Sequence, residues 1–127
     1  MILILSLLIK LSAFASVDYD FTLPLKGNSI VSNDIQYKVS SELFSSASLM
    51  YPTCTSFKIS DTKVIYYPKN VKKKNGKIIR GNWNELWMLQ SCDTKVQVPI
   101  TFYINKTKTN YVFEYPLSPE HFPKKNF

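Results

Sequence analysis

The stretch WNELWMLQSCDTKVQVPITFYI, residues 83–104, decides the fold. Trp83, Glu85, Trp87 and Leu89 recur there at every second position, with Leu86, Met88 and Cys92 on the opposite side. Val96, Val98, Ile100, Phe102 and Ile104 then alternate with Gln97, Pro99, Thr101 and Tyr103. A period of two belongs to β-strands, whose successive side chains point to opposite faces. The second run is a half-buried strand, and Pro99, which has no backbone N–H to give a ladder, predicts an edge or a bulge in it.

Working toward the C-terminus, the polar loop Asn105-Lys106-Thr107-Lys108 leads to Tyr111-Val112-Phe113-Glu114-Tyr115, and the two runs predict a hairpin. The tail from about 116 carries three of the seven prolines and is expected to be irregular. Working back, Lys77 to Cys92 reads as strand broken near Gly81-Asn82, and Phe57–Ile59 and Val64–Tyr67 as short strands around a Ser60-Asp61 turn.

One segment has a different period. Ile35, Val39, Leu43 and Ala47 recur every four residues, joined by Phe44 and Met50, while Gln36, Lys38, Glu42, Ser45 and Ser46 fall elsewhere. That is an amphipathic helix. Asn33 and Gln36 are spaced as a capping box, and Pro52 ends the helix by forcing its predecessor out of helical geometry. Before it, residues 16–32 read as an arm or a short strand near Tyr19–Leu23, with Gly27 and Asn28 among the breaks in any period. The fold class that follows is α+β, one helix packed on an antiparallel sheet of four to five strands.

The first fifteen residues read as a secretory signal peptide. Met1 to Leu11 is apolar apart from Ser6 and Lys10, too short for a bilayer span of about 20 residues, and Ala13-Phe14-Ala15 offers the small residues of a cleavage site. The expected mature chain is one domain, 16–127, formally +6 once Lys10 is removed from the +7 of the whole. It carries no cysteine at the cleavage site, hence no lipid anchor there. An exported chain with two cysteines predicts a Cys54–Cys92 disulfide, closing a 39-residue loop with both ends counted.

Residues with chemical potential are few. Trp83, Glu85 and Trp87 share a strand face, where two indoles flanking a carboxylate suit either a sugar or partner surface or a packed interior. A carbohydrate-active or cell-wall enzyme would need a second carboxylate, with Asp93 and Glu114 as the candidates. Lys69, Lys72, Lys73, Lys74, Lys77 and Arg80 gather around the hairpin-turn dipeptide Asn75-Gly76, a basic tip suited to anionic contacts or to keeping a strand edge from aggregating. His121 is the only histidine, and no metal set forms around it. With three glycines in all and no G-x-S-x-G elbow, neither a phosphate-cradling loop nor a serine nucleophile is expected, and no cofactor is implied. Asn105-Lys106-Thr107 fits a glycosylation sequon, meaningful only in a eukaryotic source.

The reading that follows is a small exported, non-enzymatic binding, inhibitor or immunity-type protein, periplasmic if the source is Gram-negative and secreted otherwise. Its partner would be another envelope or secreted protein, or an anionic envelope polymer. The alternatives are the Glu85 enzyme and a module binding anionic surfaces through the hairpin 69–80; nucleic acid is disfavoured outside the cell.

Overall fold

The computed structural model describes residues 16–106 and 108–114, without the side chains of 67–70 and 77. The expected signal segment, the tail from 116 and His121 lie outside the described residues. The elements are β1 (Asp18–Asp20), α1 (Asn33–Met50), β2 (Ser56–Lys74), β3 (Lys77–Ser91), β4 (Thr94–Asn105) and β5 (Lys108–Phe113). The strands form one sheet in chain order, β1-β2-β3-β4-β5. From β2 to β5 it is an antiparallel meander, and β1 pairs in parallel with the start of β2, Asp18 opposite Ser56 and Asp20 opposite Lys58. A parallel neighbour needs a crossover, which α1 supplies. The fold is α+β as expected, one helix against a curled sheet, with the short parallel strand as its addition.

Three expectations about the strands change. At Ser60-Asp61 there is no turn: Ile59 pairs with Leu89 and Asp61 with Met88, which makes Ser60 an extra residue in a continuous β2. This β-bulge shifts the phase, so that Phe57 and Ile59 face inward before it and Thr62 and Val64 after it. At Gly81 the strand is not broken either. Its φ of +147° is a backbone state open to glycine, and pairing runs on through Gly81↔Ile104 and Asn82↔Tyr103. Pro99 marks neither an edge strand nor a bulge, for β4 is interior and its register with β3 is unbroken. The Pro99 carbonyl accepts the Glu114 N–H at 3.0 Å, so its nitrogen faces β5 where that strand has already ended at Phe113. The proline therefore forgoes only the return bond to Glu114, at the very end of the β4–β5 pairing.

The helix start also differs from expectation. Ser32 is the N-cap, and no side chain caps it. Gln36 turns inward instead of closing a capping box: its Oε1 accepts from Leu25 N at 2.8 Å and its Nε2 donates to the Val31 carbonyl at 3.1 Å. The helix therefore buries Gln36 and Ser40 along with Val39, Leu43, Phe44 and Ala47. These apolar groups share one core with Phe57, Trp87, Leu89, Val98, Ile100 and Phe102 from the sheet. At the far end Tyr51 leaves helical geometry ahead of Pro52.

Three connections tie the layers. Tyr19 stacks on Phe44 and Phe57, at 5.8 and 5.5 Å between centroids, which closes the β1 side. Tyr111 of β5 donates to Glu42 of α1 on the other side; burial first, then the bond to Glu42 and its charge, push the phenol well above its ordinary range. The Cys54–Cys92 disulfide, with Cα atoms 5.8 Å apart, joins the α1–β2 connection to the β3–β4 turn. A loop of that length corresponds to about 4 kcal/mol in the chain-entropy account.

Candidate functional site

The tryptophan–glutamate face points into the core. Trp83, Glu85 and Trp87 are 2, 0 and 0% exposed. Period-two geometry sets an indole on either side of the carboxylate, and both rings turn their N–H toward it. Trp83 Nε1 donates to Oε2 at 2.7 Å and Trp87 Nε1 to Oε1 at 3.0 Å, while the backbone N–H of Ile30 donates to Oε2 at 3.2 Å. Phe102 covers both indoles, its centroid 5.7 Å from Trp83 and 6.1 Å from Trp87. Burying a carboxylate costs several kcal/mol unless hydrogen bonds replace its water. Three N–H donors do so here.

This geometry leaves Glu85 little chemistry. Its oxygens are engaged by interior donors, and none of the three side chains is exposed to touch a ligand. Asp93 lies in the β3–β4 turn, about 20 Å farther along the strand direction. Glu114 is exposed just past β5. Neither makes a carboxylate pair with Glu85. Among the described residues, no three His, Cys, Asp or Glu side chains gather to hold a metal.

What Glu85 does is hold the arm before the helix, a role that sequence reasoning missed. Residues 25–31 run along the free side of β2 and are fastened there. Asn28 N donates to the Thr62 carbonyl at 3.0 Å, Val64 N to Asn28 Oδ1 at 2.8 Å, and Ser29 N to Thr62 Oγ1 at 3.1 Å. Thr62 Oγ1 in turn donates to the Lys26 carbonyl at 2.7 Å. Gly27 makes the approach possible, because a Cβ there would stand 2.0 Å from the Thr62 carbonyl oxygen at a φ of +99°. In the sequence, Gly27-Asn28 shows only as an interruption. Its acceptors and donors lie more than thirty positions away.

The basic cluster takes the opposite environment. Pairing of β3 with β4 stops at Arg80↔Asn105, so β2 and β3 continue as a two-stranded ribbon to the two-residue turn Asn75-Gly76, φ +52° and +78°. Those angles are the type I′ geometry that asparagine and glycine favour. Lys72, Lys73, Lys74 and Arg80 are exposed. Lys69 pairs with Asn82, and Lys72 faces Arg80 and Lys74 faces Lys77 across the ribbon; the side chains of Lys69 and Lys77 are outside the description. Like charges directly opposite destabilise a strand pair. No acidic residue occurs between Asp61 and Glu85 to offset them.

The fold and site thus define a small disulfide-linked α+β domain with an internally satisfied carboxylate and a projecting basic ribbon. The chain matches no protein-family model, no curated protein and no solved structure. Among the described residues no helix is long and apolar enough to cross a membrane.

Proposed function

We propose that this is an exported, non-enzymatic binding protein whose contact surface is the basic ribbon and whose partner is anionic, an acidic envelope protein or polymer. The observation that carries the reading is the Lys72↔Arg80 and Lys74↔Lys77 register at the ribbon end. A hairpin selected for its own stability would place opposite charges in facing positions. Here the repulsion is retained on an extension none of whose described side chains belongs to the buried core, and an anion laid across the ribbon relieves it. Clustered cations also raise the encounter rate with such a partner. The disulfide and the engagement of Glu85 by the two indoles fit a rigid scaffold for contact better than a catalytic centre.

The test is retention of the full chain on a dextran sulfate column developed with salt. Lys72→Ser, Lys73→Ser and Lys74→Ser together should lower the eluting salt concentration markedly and flatten the salt dependence of binding. Elution at the same salt as the unaltered protein would overturn the assignment of the ribbon.

A further inference from the structure

We infer that the ribbon, from Ile104 beside its base to Gly76 in its turn, borders a binding groove for a single-chain anionic amphiphile, a free fatty acid being the simplest member. The groove stands beside the proposed contact surface of the ribbon and adds a small-molecule ligand to the acidic protein or polymer proposed there. Three separate parts of the chain bring isoleucines together there: Ile30 from the arm, Ile78 and Ile79 from β3, and Ile104 from β4. The space they border is about 570 Å³, within the range of about 300–1,000 Å³ typical of small-ligand sites.

The groove is built rather than incidental. Pairing advances one residue on β2, from Lys72 to Lys73, but two on β3, from Arg80 to Ile78, and this leaves Ile79 as an extra residue. Both isoleucines consequently line the groove. Lys106, at a φ of +60° in the β4–β5 turn, donates its backbone N–H to the Ile79 carbonyl and fixes that wall. The arm contributes Ile30, whose N–H is held by Glu85. Interior chemistry thereby positions an exterior apolar surface, with Ile30 left 40% exposed.

Charge selects the occupant. Lys73 and Lys106 line the groove, and its described lining contains no carboxylate. A plain inorganic anion would leave the four isoleucines without a purpose, and a neutral lipid would leave the two ammonium groups without one. An acyl chain ending in a carboxylate uses both, the chain on the isoleucines and the head between lysines whose own stems can lie along the apolar walls.

Isothermal titration of the full chain with laurate, kept below its micelle concentration, tests this. A saturable 1:1 isotherm is expected, weakened at least tenfold by Lys73→Glu with Lys106→Glu and at least tenfold by Ile79→Ser, with near-ultraviolet circular dichroism reporting that the tryptophan core is intact. Dodecyl maltoside should bind at least tenfold more weakly than laurate. Lys72→Ser with Lys74→Ser should lower retention on dextran sulfate while leaving laurate affinity within twofold. Absence of saturation, equal affinity for the uncharged detergent, or indifference to Lys73→Glu with Lys106→Glu overturns the groove and leaves the ribbon reading standing. Unchanged retention on dextran sulfate in the Lys72/Lys74 variant, together with intact laurate binding, overturns the ribbon reading instead.

Discussion

The two charged regions of β3 are handled in contrary ways, though only four residues separate Arg80 from Glu85. At Glu85 a single charge is withdrawn from water and given three N–H donors. At the ribbon, Lys72 is set against Arg80 and left in solvent. Each treatment follows from what the surroundings supply. In the interior an unmet polar group costs about 1–3 kcal/mol, so partners must be supplied by the chain itself. At the surface, water and salt screen like charges over about 10 Å, so repulsion is tolerable and can be kept for a partner. In a domain of this size the polar group that is fully answered is holding the fold, and the ones left unanswered are open to a partner.

The contrast can be broken most severely at Glu85. Glu85→Leu leaves two indole N–H groups and the Ile30 N–H unmet in the core, and should cost about 4 kcal/mol or more of unfolding free energy in urea titrations followed by tryptophan fluorescence. A loss below about 1 kcal/mol would mean that those donors find other acceptors and that Glu85 does not organise the arm. Gly27→Ala attacks the same attachment from the arm side. It requires a Cβ where the Thr62 carbonyl sits and an unfavourable φ, and should cost about 3 kcal/mol. Hydrogen exchange would then show faster exchange first at Asn28, Ser29 and Ile30. Uniform acceleration across the sheet would indicate that the arm is not a separable unit. The smallest effect is expected at the ribbon: Lys72→Glu, now opposite Arg80, should raise stability by about 0.5 kcal/mol at low ionic strength, a gain that shrinks as salt is added. A destabilised Lys72→Glu protein would contradict the view that the ribbon forgoes stability.

The helix and the strands of the 83–104 stretch were legible because each has a clean period. Val39, Leu43 and Ala47 fall on the buried face of α1, and Val96, Val98, Ile100 and Phe102 on that of β4. Where legibility failed, a local irregularity had erased the period. Ser60 shifts the phase of β2 and so mimics a turn in the sequence; Gly81 mimics a break because glycine usually is one. Gln36 looked like a capping residue three positions after Asn33, but the carbonyl of Val31 and the N–H of Leu25 offered it buried partners that no local pattern announces. Of the candidate site residues, the Trp83-Glu85-Trp87 face was visible as a face, but not the side of the sheet on which its cover would lie. The basic ribbon was legible as a tip from Asn75-Gly76, whereas the like-charge register across it and the isoleucine groove beside it were not.

By itself, then, the sequence determined what is set by spacing along the chain: one helix, a meander of strands, one available disulfide pairing, and a lysine-rich turn. Tertiary structure alone decided what depends on residues far apart in sequence. It made Glu85 an interior acceptor by bringing Ile30 across to it, made Gly27 indispensable by pressing it on Thr62, and made a groove from Ile30, Ile78, Ile79 and Ile104. Hydrogen bonds and apolar contact act over a few ångströms of space, and no periodicity records which distant segments will arrive within that reach.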